Sequence, residues 1–161
     1  MSFISNKSFN NLVPISTKDS RTIVFIDSNF ANWESIAQKI IFQARVIIVG
    51  SEDDGVKEIS KILHDSNCLE VHIISSGFPG CIYLGNSELS LDTLATYSLE
   101  MKKWFVTNKS LNRVKLPSIN LYGLNLNMGD AGEEFITKLT KITGARIHTY
   151  SNIYKSQILN S

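Results

Sequence analysis

Cysteine is scarce in this chain: Cys68 and Cys81 are the two present, too few for a disulfide framework. The first twenty residues lack a sustained apolar stretch of the kind a secretory signal needs, so a cytoplasmic location is expected and both cysteines read as free thiols. Histidine is equally sparse, with three in 161 residues, and no second pair of ligands accompanies the His64 and Cys68 spacing. No metal site is therefore expected. Charge of one sign is missing too, since 16 basic side chains face 15 acidic ones, for a formal net charge of +1. That balance gives no field to attract nucleic acid, and no cluster of Lys and Arg with interleaved aromatics stands out. The wholly apolar runs are only a few residues long, which excludes a helical membrane span. No internal repeat, low-complexity tract, dinucleotide fingerprint or phosphate-binding Gly-Lys-Ser/Thr loop occurs, and no cofactor is expected.

What is present is a regular alternation of two periodicities. Ile23–Ile26 and Val46–Val49 are short continuous apolar runs, the pattern of strands covered on both faces. Between and after them, Trp33, Ile36, Ala37, Ile40, Ile41 and Ala44, then Val56, Ile59, Ile62 and Leu63, recur at helical spacing. A third strand is expected over Leu69–Ser75 and a fourth over Ile119–Tyr122. A helix carrying Phe135, Ile136, Leu139 and Ile142 follows, closed by Gly144, with a last strand over Arg146–Thr149. Cys81–Leu84 and Ser87–Leu89, separated by Gly85-Asn86, predict a small hairpin outside the main sheet. Ser90 is the expected cap of a helix from about Leu91, and Asp130 with Glu133 resembles a capping box. The expected architecture is a single α/β domain over 21–150, a three-layer α/β/α sandwich on a mostly parallel sheet. Residues 1–20 are read as a flexible segment, 108–117 as a polar connection and 151–161 as a tail.

Two loops end on strands and mark where an open α/β sheet places its chemistry: Ser75-Ser76-Gly77-Phe78-Pro79-Gly80, and Leu121-Tyr122-Gly123-Leu124-Asn125-Leu126-Asn127-Met128-Gly129. Neither supplies an evident reactive side chain. Elsewhere, His72 lies within the third strand and reads as a hydrogen-bonded core histidine, although a relocated pair with Cys81 is an alternative. Glu52-Asp53-Asp54 reads as a helix cap before it reads as a cation site.

The stretch from Val71 through Ser75-Ser76-Gly77-Phe78-Pro79-Gly80 to Leu84-Gly85-Asn86 resembles a bacterial domain family of unknown function, number 4347. Leu121-Tyr122-Gly123 with Ala131-Gly132-Glu133 is similar to that family's second block, and Phe25-Ile26-Asp27-Ser28 with Trp33 to its first. The resemblance implies a caspase-like sheet with a His and a Cys on adjacent strand ends, a pair in which the base generates the thiolate nucleophile. Here Ser76 stands at the His position and Leu124 at the Cys position.

With both members of the pair replaced, the expected function is a non-catalytic, pseudo-peptidase domain acting as a protein-binding subunit or adaptor of a larger assembly. Phe78, Leu124, Leu126 and Met128 are the candidate contacts, as apolar groups at the mouth of the former cleft. Two alternatives belong to other classes: a hydrolase using Cys81 with His72 or Ser76 as nucleophile, and a sensor that binds a small ligand in the strand-end crevice.

Overall fold

Five short runs of the sequence become neighbours in one sheet. In the computed structural model, which describes residues 21–106 and 115–160, these are β1 (Thr22–Asp27), β2 (Arg45–Val49), β3 (Glu70–Ile74), β7 (Ser118–Tyr122) and β8 (Arg146–Tyr150). They stand in the order β2-β1-β3-β7-β8, and every pairing is parallel. The connections run through α1 (Trp33–Ile40), α2 (Gly55–His64), α3 (Leu94–Met101) and α4 (Gly129–Thr143), and a short helix α5 (Gln157–Asn160) closes the described chain. The expected segment 1–20 and most of the connection 108–117 lie outside the described residues.

Alternation along β1 shows why the sheet needs cover on both sides. Ile23 and Phe25 enter one core with Val56, Ile59 and Leu63 of α2, Leu94 and Met101 of α3, and Phe135 and Leu139 of α4. Val24 and Ile26 enter a second core on the opposite face with Ile36, Ala37 and Ile40 of α1. The result is a three-layer α/β/α sandwich. Cover is asymmetric, however, because α1 alone of the longer helices packs on the second face. Ile153, 6% exposed, and the partly buried Ile158 and Leu159, all from the segment after β8, supply the rest.

The hairpin is present as β5 (Cys81–Leu84) and β6 (Ser87–Ser90), and a third short strand, β4 (Gly77–Phe78), joins it to form a separate antiparallel sheet. Its turn is pinned to the ends of the main strands. Gly85 has φ +64°, its N–H donates to Asp27 Oδ1 at 3.3 Å, and a Cβ there would stand 2.0 Å from the Asp53 carbonyl oxygen. The Asn86 side chain donates to the Glu52 carbonyl at 2.8 Å.

Several helix ends differ from expectation. Asp54 caps α2 by accepting the Lys57 N–H at 3.1 Å, and it also accepts from Tyr97 at 2.9 Å. Ser90, in contrast, belongs to β6 and does not cap α3. Thr93 Oγ1 accepts the Ser90 N–H at 2.9 Å and α3 begins one residue later, with Leu94, Tyr97 and Met101 inward. Asp130 lies inside the first turn of α4, where no side-chain cap forms; it contributes through the helix dipole alone.

Gly85→Ala is expected to lower unfolding free energy by about 2 kcal/mol or more, through the left-handed backbone and the clash with Asp53. Asn86→Ala should cost about 1 kcal/mol, the loss of one hydrogen bond. Urea denaturation of the two variants checks the order; equal effects would refute the pinned turn.

Candidate functional site

Because β3 and β7 are adjacent and parallel, the loops that follow them leave the same edge side by side. Backbone bonds then lock the two together. Ser75 N–H donates to the Tyr122 carbonyl at 3.4 Å and Gly80 N–H to the Leu126 carbonyl at 3.0 Å, while Tyr83 N–H, donating to the Ser76 carbonyl at 2.9 Å, ties the first loop to its own hairpin. Gly123 N–H reaches the Tyr150 carbonyl of β8 at 3.0 Å. The crevice between them is about 280 Å³, and Ser76, Gly123, Leu124 and Tyr150 are among its walls.

The structure thus brings Ser76 and Leu124 into one crevice, as the adjacent-strand reading requires. Both side chains are exposed, Leu124 by 63%. No described histidine meets Ser76: His72 bonds Tyr122 and Glu70, His64 bonds Asp65, and His148 is exposed on β8. Phe78 and Met128, at 47% and 56%, stand on the same two loops as exposed apolar groups, and the Phe78 ring lies 5.9 Å from that of Tyr83.

Leu126 does not belong with them. It is fully buried, and its side chain fills the space under both loops, so that a Cβ on Gly77 would come within 2.8 Å of it and a Cβ on Gly123 within 3.0 Å. The sequence grouped it with Leu124 and Met128 because all three are apolar and close together. Only the turn between Gly123 and Gly129, with Asn125 at φ +51°, decides which of them points inward.

The relocated pair is also undone by geometry. His72 lies on the α1 face of the sheet, beside Tyr122, whereas Cys81 lies in the hairpin, which packs Ile82, Leu84 and Leu89 into the core of the other face. Cys81 Sγ donates to Glu88 Oε2 at 3.6 Å, and burial, with the Glu88 charge, pushes its thiol up to about 11. Cys68 is 1% exposed, donates to the carbonyls of Arg21 and Glu70, and is pushed by burial up to about 12. Among the described residues no group of three or more His, Cys, Asp or Glu side chains could hold a metal.

One cluster escaped the sequence reading. Glu70 Oε1 accepts from His72 Nε2 at 2.9 Å, while His72 Nδ1 meets the Tyr122 hydroxyl at 2.7 Å. The spacing of two between Glu70 and His72 on one strand was the available signal, because it places both on one face.

A family described as a domain of unknown function (DUF4347) matches residues 23–154. Among solved structures, pro-sf-caspase-1 is similar at 15% identity and a TM-score of 0.37, over 71% of this chain and 48% of that one. Caspase-1 from Spodoptera frugiperda is similar at 16% identity and a TM-score of 0.36, over 67% and 49%. The chain spans about half the length of these caspase chains. No curated protein matches it.

Leu126→Ala should destabilise the protein by about 2–5 kcal/mol, as expected for an emptied core site, and Leu124→Ala by no more than about 0.5 kcal/mol. Equal costs in denaturant melts would show that the inward and outward assignments are wrong. Both thiols should resist iodoacetamide at pH 8 in the folded protein and react once urea unfolds it, as followed by intact mass. Rapid labelling of native Cys81 would contradict its placement.

Proposed function

This chain belongs to the DUF4347 family of domains of unknown function, and we propose that it acts without catalysis, as a protein-binding subunit or adaptor in a larger assembly. The observation that carries this reading is the exposure of Phe78, Leu124 and Met128 together on the paired strand-end loops. Large apolar groups held on a rim lower free energy when a partner covers them, and aromatic residues and methionine are enriched at interfaces. The occupants of the two positions where the resemblance expects a base and a nucleophile support the same reading. A serine hydroxyl is a weak nucleophile without a neighbouring base, and a leucine offers no proton and no lone pair.

The ligand-sensor alternative has less to support it, because the wall of the strand-end crevice is made of serine, glycine, aromatic and aliphatic residues and carries no charged group to anchor a ligand. The hydrolase alternative also has less to support it, since His72 bonds Glu70 and Tyr122, Cys81 bonds Glu88, and no described histidine bonds Ser76.

Native mass of the protein taken gently from its own cells is the test. Co-migration with a partner in fixed stoichiometry is expected, and Phe78→Asp with Leu124→Asp should release the partner while circular dichroism and melting stay unchanged. Association that survives both substitutions in a folded protein would refute the rim as the contact. Loss of an electrophilic probe label in Ser76→Ala, with turnover, would instead establish an enzyme.

A further inference from the structure

The second face of the sheet carries residues that a buried face of a parallel sheet has little reason to hold. Strands covered on both sides are ordinarily apolar throughout. Here His72, Asn120 and Tyr122, all nine-tenths or more buried, lie on the two adjacent central strands β3 and β7, on the side where α1 and α5 leave a gap. That gap is a cavity of about 240 Å³, with Glu70, His72, Asn120, Tyr122, Tyr150 and Ile158 in its wall. It is distinct from the strand-end crevice, and the Tyr122 and Tyr150 rings, stacked at 4.9 Å and 17°, stand between the two.

The polar atoms of the wall are already organised. With neutral His72 donating from Nε2 to Glu70, its Nδ1 accepts from the Tyr122 hydroxyl, and Tyr150 donates to Asn120 Oδ1 at 3.4 Å. Asn120 Nδ2 donates to the Val71 carbonyl at 3.2 Å. What these bonds leave over is acceptor capacity. Glu70 keeps the lone pairs that His72 and Thr22 do not use and its side chain is 46% exposed, while Asn120 Oδ1 and the Tyr150 oxygen each retain one. The bond from His72 holds the Glu70 carboxyl below its ordinary value of 4.5, so at neutral pH it is an anion. Among the described residues no Lys or Arg lies within ion-pair distance of it, although the Lys115 charge also lowers its carboxyl.

We propose that this cavity is a binding site for a small organic cation, an alkylammonium or guanidinium group, held between the Glu70 carboxylate and the Tyr150 ring. An anionic acceptor beside an aromatic face selects such a group over a neutral or anionic one, through a charge-assisted hydrogen bond and a cation–π contact. The volume equals that of about eight waters at about 30 Å³ each, enough for a head group with a short alkyl tail against Ile158. The cavity shares Tyr122 and Tyr150 with the strand-end crevice but none of the exposed rim residues Phe78, Leu124 and Met128.

Methylguanidinium and butylammonium are the probes, with 1-butanol as the neutral comparator, titrated into the full chain and followed by thermal melts and by NMR of the His72 ring. Both cations should raise the melting temperature saturably in the millimolar range and shift the His72 signals, and butanol should do neither. Glu70→Gln should weaken the cations by about tenfold or more, as expected for loss of a charge-assisted bond. Should that variant fail to fold, Tyr150→Ala on the edge strand carries the same expectation. Phe78→Asp should leave cation affinity unchanged. The proposal is overturned by absence of saturation, by butanol binding as well as the cations, by full affinity in Glu70→Gln or Tyr150→Ala, or by loss of affinity in Phe78→Asp.

Discussion

The turn at Gly85 holds three parts of the molecule in one place. Its N–H reaches Asp27 Oδ1 at the end of β1, its Cα packs against Asp53 in the loop that starts α2, and the hairpin strands extend from it. Asp27 is 1% exposed and burial raises its carboxyl above the usual range, opposed by the bonds from Asn29 and Gly85. Donors from Asn29 and Gly85 reach its Oδ1, whereas Oδ2 has no partner among the described residues, so the hairpin supplies part of what β1 needs while β1 positions the hairpin. That mutual dependence brings Ile82, Leu84 and Leu89 into the core with α2 and α3.

From this fixed point the strand-end rim follows. The loop after β3 must turn directly into β4 and the hairpin, which leaves Ser76 outward and Gly77 with no room for a side chain. The loop after β7 returns Leu126 into the space so made. One apolar residue inward then determines that Leu124 and Met128 point outward, since the turn between Gly123 and Gly129 is too short to bury all three. The exposed apolar rim is thus a geometric consequence of how the two loops share one buried leucine.

The opposite face obeys a different constraint. With α1 and a few residues of the C-terminal segment as its cover, the sheet there cannot be closed by apolar packing alone. The chain places Glu70, His72, Tyr122, Asn120 and Tyr150 in the uncovered part, where they satisfy one another through bonds of 2.7 to 3.4 Å. Such a network is stable when each member is paired, and it also leaves the face polar where a central sheet is ordinarily dry.

The sequence alone determined the order and type of the main elements, because period-two and period-3.6 patterns are local properties of ten or fifteen residues. The four apolar strand runs, the faces of α1, α2 and α4, the stop at Gly144 and the Gly85-Asn86 turn were all legible for that reason, and so was the family. Helix starts were less so: Ser90 and Asp130 had the right chemistry for caps, but a cap is made only where the backbone presents its free N–H groups, which depends on the preceding strand. What only the tertiary structure decided was direction. Leu126 inward and Leu124 outward, the separate partners of His72 and Cys81, and the meeting of Glu70, His72, Tyr122 and Tyr150 from three strands all depend on strand order and on which helices cover each face. Those are properties of contacts between residues tens of positions apart, to which local periodicity is blind.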